Sequence, residues 1–188
     1  NLRGVGIGVS NANMWWGSGF HNSLQMSNNT TGFKHISIGT FGEKKYKNVG
    51  VDFRYLFAPI DHALTNIYKD TDSKSYFSAL LFSTSFGFDP HFLFGLSRSY
   101  LSGPGTWGRS VDYISMEDAM MLPFEELFLS EKQKDPDVPE SAIDLWDEIL
   151  VAYLVTSFPS SGLKIYIEYG RDDHAWDWDD FSRQPDHS

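Results

Sequence analysis

Cysteine is absent from the 188-residue chain, which excludes a disulfide framework and any thiolate metal site and is compatible with a bacterial envelope. No run of eighteen apolar residues occurs, so no helix is expected to cross a bilayer. Blocks of five like charges are also missing, and the formal net charge is −10. That balance argues against a nucleic-acid groove or an anionic membrane-surface binder and favours a neutral or cationic partner. His21, His35, His62, His91, His174 and His187 lack the close spacing of a metal site. "GVGIG" from Gly4 lacks the strand, helix and later acid of a dinucleotide site, and "KDTDSKS" near Asp70 lacks the glycine of a calcium loop. There is no initiator methionine and no secretory leader pattern, and the abrupt ends "NLRGVG" and "RQPDHS" suggest a piece of a longer protein.

What the chain does have is aromatic side chains, 16% of its residues within 41% hydrophobic overall, enough for one domain with a sizeable core. Their periodicity is that of strands. In "VGVDFRYLF", Val49, Val51, Phe53, Tyr55 and Phe57 share one face, opposite Gly50, Asp52, Arg54 and Leu56. In "GLKIYIEYG", Leu163, Ile165, Ile167 and Tyr169 oppose Lys164, Tyr166 and Glu168. "FLFGLSRSY" sets Phe92, Phe94, Leu96 and Tyr100 against Leu93, Gly95, Ser97 and Ser99. A fourth strand begins at Tyr76, and further strands over 2–10, 33–42 and 147–158 bring the expected number to seven. Residues 159–162 ("PSSG") and the Asp89, Pro90 pair read as hairpin turns, so sequential antiparallel pairing follows. One helix is expected in "SMEDAMMLPFEELFLSEKQ", where Ser115 and Asp118 resemble a capping box and Pro123 suits a first turn. It belongs to a helical and loop excursion over 115–146, with "KDPDVPES" as its solvated loop.

Two architectures fit this all-β, antiparallel, up-and-down pattern. A soluble sandwich buries its apolar faces between two sheets; an outer-membrane barrel turns them to lipid and lines its interior with Gly, Ser and charged residues. Strands of nine to eleven residues with Phe, Tyr and Trp near their ends match a barrel with aromatic girdles. The discriminating positions are Val51, Phe53, Tyr55, Ile165 and Ile167, which lie exposed in a barrel and meet a second sheet in a sandwich.

The stretch "WWGSGFHNSLQMSNNTTGFKHISIGT", followed by "VGVDFRYLF" and later "GLKIYIEYGRDD", resembles the capsule assembly protein family of the Wzi type, bacterial outer-membrane β-barrels. The likeness rests on the Trp15, Trp16 pair, Gly17 and Gly19, the Ser23, Leu24 step, then Ser27, Asn28 and Asn29 before a strand. A second anchor is the strand bearing Tyr166 and Glu168 that ends in Asp172 and Asp173. Ser18 stands where the family pattern leads one to expect proline, and the acidic segment around 130–140 resembles an insertion. The resemblance implies a non-enzymatic outer-membrane barrel that helps assemble or attach capsular or extracellular polysaccharide. Residues 1–188 would then be one barrel segment, incomplete at both ends because seven strands cannot close a barrel of even strand number.

Trp15 and Trp16 sit in a run of glycines, asparagines and serines. Their rings suit sugar C–H patches, with Asn22, Asn28, Asn29 and Ser27 serving hydroxyls. They equally suit anchoring at the membrane interface, with the asparagines building turns. "YGRDDHAWDWDD" is the second cluster. Trp176 and Trp178 with Asp172 and Asp173 suit sugar binding; Asp172, Asp173, Asp177, Asp179 and Asp180 offer carboxylates to calcium but lack an EF-hand's glycine and terminal glutamate; a solvated acidic loop is the third reading. Glu168 with Asp172 or Asp173 also forms the carboxylate pair of a glycosidase, or Glu168 pairs with Lys164 or Arg54. The expectation is therefore an outer-membrane protein that binds polysaccharide, with outer-membrane lipid around it and no nucleic acid, cofactor or metal. Its candidate residues are Trp15, Trp16, Asn22, Asn28, Asn29, Glu168, Asp172, Asp173, Trp176 and Trp178. The alternative is a soluble β-sandwich carbohydrate-binding module or glycosidase.

Overall fold

The computed structural model describes residues 4–29, 32–40, 42–60, 75–102, 115–128 and 146–172. Eight antiparallel strands form one sheet: β1 (Val5–Ser10), β2 (His35–Thr40), β3 (Lys44–Tyr46), β4 (Val49–Ile60), β5 (Ser75–Phe86), β6 (His91–Ser102), β7 (Trp146–Phe158) and β8 (Leu163–Asp172). β2 and β3 both pair with β4, opposite its upper and lower halves. Between the pairs Gly39↔Arg54 and Lys44↔Val51 the β2–β3 line carries two more residues than β4, a bulge that includes Gly42 at φ +110°. Two extra residues preserve the alternation of faces. The sheet is thus seven strands wide, in sequence order from β1 to β8, as the alternation predicts.

One end of the sheet has tight turns, at 47–48, 87–90 and 159–162, and the other has the long connections 11–34, 61–74 and 103–145. Long connections on one end and short turns on the other are the habit of outer-membrane barrels. The helix α1 (Met116–Phe128) belongs to the third long connection. Ser115 caps it: the Asp118 N–H donates to Ser115 Oγ at 3.1 Å, and the Ser115 hydroxyl donates to Asp118 Oδ2 at 2.7 Å. Pro123 corrects the expectation of a first-turn proline, since it lies in the middle of α1. Ser115 and Asp118 fix the start, which leaves Pro123 in the helix's third turn.

Every strand separates its side chains the same way. One face carries Ile7, Ile38, Val51, Phe53, Phe82, Phe94, Leu96, Leu154, Ile165 and Ile167, and most of these remain exposed. Val9 is 80% exposed and Ile167 56%. The described strands contribute no second sheet to cover that face; among the described residues only α1 lies on it, burying Tyr55 and Phe57 beside Ala119. The other face carries Gly6, Gly8, Ser37, Gly39, Gly50, Asp52, Arg54, Ser83, Gly95, Ser97, Ser99, Lys164 and Glu168, and it is the face that segment 11–34 covers.

The apolar belt crosses the hydrogen-bonded rows obliquely. Ile7 on β1 shares a row with Ile38 and Tyr55, whereas Ile167 on β8 shares a row with Leu154, Phe94, Thr84 and Val51, four residues lower on β4. The β8 member of the Tyr55 row is Arg171. A belt of constant height meets successive strands at shifting positions when the strands are tilted against it.

Candidate functional site

Segment 11–34 leaves β1 at one edge of the sheet and reaches β8 at the other. The Ser18 hydroxyl donates to the Ile167 carbonyl at 3.1 Å. In a flat sheet the two strands are six spacings apart, roughly 29 Å, and Ile167 lies about seven residues, roughly 23 Å, down from the row of Ser10. That separation of about 37 Å exceeds the roughly 28 Å that eight fully extended residues span, even with about 7 Å added for the Ser18 side chain and its hydrogen bond. The sheet is therefore curled about the segment, with the Gly, Ser and charged face inside.

Inside, Trp16 is 1% exposed and forms a cluster with Leu56, Ala58, Ala79, Leu81 and Tyr153, edged by Met14, Met26 and Phe33. Its backbone N–H donates to the Met26 carbonyl at 3.1 Å, closing the segment on itself. Small residues on β4 and β5 make the recess that accepts the indole. A burial of this size stabilises the seated segment by about 2–3 kcal/mol.

Glu168 holds the same segment from β8. Its Oε1 accepts the Leu24 N–H at 3.1 Å and lies 3.1 Å from the Ser23 hydroxyl, which also donates to the Trp16 carbonyl. Gly17, at φ +147°, leaves the space for this carboxylate, because a side chain there would run into Glu168 and Ser23. Gln25 adds a bond of 3.4 Å to the Ile149 carbonyl. Glu168 is thus paired with neither Lys164 nor Arg54; Arg54 stands 3.7 Å from Asp52 instead. As a carboxylate pair, Glu168 and Asp172 are four positions apart on one face of β8, about 13 Å along the strand. Both glycosidase geometries need less than about 10 Å.

A second device on the inner face runs along one row: Asp52, Ser83, Gly95, Tyr153 and Glu168. The Tyr153 ring lies directly over Gly95, where a Cβ would overlap it, and Ser83 follows Gly95 in the same row on β5. Glycine in a strand exposes its backbone, and the ring covers it.

The candidate sugar-binding residues separate into two groups. Trp16 and Glu168 are fully engaged in seating the segment. Trp15 is half-buried, and Asn22, Asn28 and Asn29 are exposed, with Asn29 Nδ2 donating to Asn22 Oδ1 at 3.1 Å. The sequence reading missed Phe20, 79% exposed and edge-on to the His21 ring at 4.9 Å between centroids. Its position between Gly19 and a histidine-asparagine pair was the available signal. An exposed ring beside paired amides offers an apolar surface and hydroxyl partners together. Asp172 ends β8, exposed, at the end of the sheet from which segment 11–34 also departs. Asp173, Trp176, Trp178 and the remaining acids of that cluster lie outside the described residues, as do residues 130–140 and Asp70.

A shallow open groove of about 280 Å³ lies at the opposite, tight-turn end, lined by Glu43, Lys45, Ser85, His91, Ser157 and Lys164 among others. The Ser85 hydroxyl holds the Glu43 carboxyl below its usual range; burial opposes it less strongly, and Lys45 at 3.2 Å adds to the lowering. Comparison with family models, with curated proteins and with solved structures returns no match.

Proposed function

We propose that this chain is the wall of an outer-membrane β-barrel, with segment 11–34 folded into its lumen, that retains capsular or extracellular polysaccharide at the bacterial surface. The observation that carries the barrel is the exposure of apolar side chains along one face of the sheet, Val9, Ile7, Val51, Phe82, Phe94 and Ile167 among them, over an inner face of Gly, Ser and charge in which Leu56, Ala58, Leu81 and Tyr153 pack around Trp16. In water such a surface is costly, at roughly 25 cal/mol for each Å² left uncovered. Lipid removes that cost. The oblique course of the belt, four residues over six strand spacings, corresponds to strands tilted by about 25° against the bilayer normal.

Polysaccharide is the ligand favoured by the likeness to the capsule assembly family and by the chemistry of the exposed stretch, in which Trp15, Phe20, Asn22, Asn28 and Asn29 combine aromatic faces with amides. Binding of this kind needs no chemical step, and the reading is of a non-enzymatic attachment protein. The test is deletion of the full-length gene in its host, with cell-bound and released polysaccharide measured separately. The expected result is release of polysaccharide into the medium with total synthesis unchanged, restored by the intact gene. Unchanged retention contradicts the reading.

A further inference from the structure

We infer that α1 is a membrane-interface helix, seating Met116, Met120 and Met121 at the boundary between lipid headgroups and acyl chains. The inference rests on the barrel reading and adds a lipid-contacting element outside the strands. α1 packs on the apolar face of the sheet, the face assigned to lipid, through Ala119, Leu122 and Phe124, with Phe124 against the Tyr55 ring at 5.1 Å between centroids. The Tyr55 hydroxyl donates to the Met120 carbonyl at 2.9 Å, which ties the helix, lying over β5 and β6, to β4. The three methionines point away from this contact and are 52%, 37% and 48% exposed.

The height of the helix is set by its neighbours. In the row of Tyr55, β6 carries Arg98, and in the row of Phe57, β6 and β7 carry Tyr100 and Glu148. Arg98 and Glu148 form a bidentate ion pair, with one bond of 2.8 Å, on the face that carries the apolar belt, and Arg171 stands in the same row as Arg98. On these strands the belt ends at that level. α1 therefore lies along the edge of the belt nearest the long connections, with Glu117 and Asp118 exposed in its first turn. Long flexible thioethers on a surface helix suit the boundary between headgroups and acyl chains, where an amphipathic helix sinks its apolar side by about 5–10 Å, and Glu117 and Asp118 keep the first turn on the water side. The exposed methionines continue an apolar surface that already faces lipid, which favours lipid over a second protein as their partner.

The absence of cysteine permits single-site labelling. In the full-length protein, reconstituted into phosphatidylcholine vesicles and checked for heat-modifiable gel mobility, an environment-sensitive fluorophore is attached to Met120→Cys, Ile167→Cys or Asn28→Cys. Quenchers are carried at shallow or deep acyl positions. Replacing the Met120 side chain leaves its carbonyl bond to Tyr55 in place. The expected result is about twofold stronger quenching at position 120 by the shallow quencher than by the deep one, with deep quenching at 167 and none at 28. Quenching at 167 without any at 120, or a blue-shifted and unquenched label at 120 that marks a protein contact, overturns the interface helix and leaves the barrel standing. No quenching at 167 removes the barrel reading, and the inference with it.

Discussion

Glu168 Oε1 accepts the backbone N–H of Leu24 at 3.1 Å, a bond that joins positions 144 residues apart and holds segment 11–34 against the far edge of the sheet. The Ser23 hydroxyl, whose one proton is shared between Glu168 Oε1 at 3.1 Å and the Trp16 carbonyl, adds to the clasp, so one side chain on β8 fixes the middle of a segment that begins on β1. A charged acceptor makes such bonds worth about 1.5–3 kcal/mol each. Glu168→Gln keeps the shape and removes the charge. The expected outcome is an intact sheet with segment 11–34 cleaved about tenfold faster by added protease, equivalent to about 1.4 kcal/mol of lost closure. Unchanged cleavage would mean that Trp16, with the Ser18 and Gln25 bonds, seats the segment without the Glu168 charge.

The two tryptophans are expected to separate by role. Trp16→Ala empties a buried recess and costs about 3–5 kcal/mol of stability, measured as the urea midpoint of heat-modifiable mobility. Trp16→Phe costs less, because its buried Nε1 makes no hydrogen bond. Trp15→Ala leaves the midpoint within about 1 kcal/mol and lowers polysaccharide retention, since its ring is only half-buried.

Gly95 tests the inner row. Gly95→Ala sets a methyl group against the Tyr153 ring and is expected to destabilise by about 1–3 kcal/mol. In a Tyr153→Ala background the same change should be nearly neutral, so a double-mutant cycle with independent, additive effects rules out the ring-over-glycine contact.

A charge on the outer face distinguishes lipid from water. Val51→Arg at an exposed position is expected to cost about 2–4 kcal/mol in a bilayer if Val51 lies near its midplane. On a water-facing surface the same substitution stays within about 0.5 kcal/mol. Refolding yield into vesicles across a urea series reads the difference.

The long strands were legible because they carry an alternating pattern whose apolar half stays together; of the five discriminating positions Val51, Ile165 and Ile167 are exposed, while Phe53 is half-buried and Tyr55 buried. Tyr55 shares their face yet is buried, since α1 comes from a distant connection and alternation within β4 carries no information about it. β3 was not legible: three residues after a bulge are too few to show a period. Ser115 and Asp118 announced the helix correctly, but a proline within it reads as a boundary until the cap fixes the register. Trp15 and Trp16 could not be told apart, because which ring enters the recess depends on Leu56, Ala79 and Leu81 from other strands. The Glu168 clasp was hidden for the same reason: its partners are backbone and hydroxyl groups with no sequence signature.

The most direct test of the account is where the full-length protein partitions in a bacterial host. The account predicts recovery in the detergent-extracted outer membrane, with a band that changes mobility on heating as folded barrels do. Recovery as a soluble periplasmic monomer, with no heat-dependent shift, would contradict it, because the exposed face from Val9 to Ile167 would then be in contact with water.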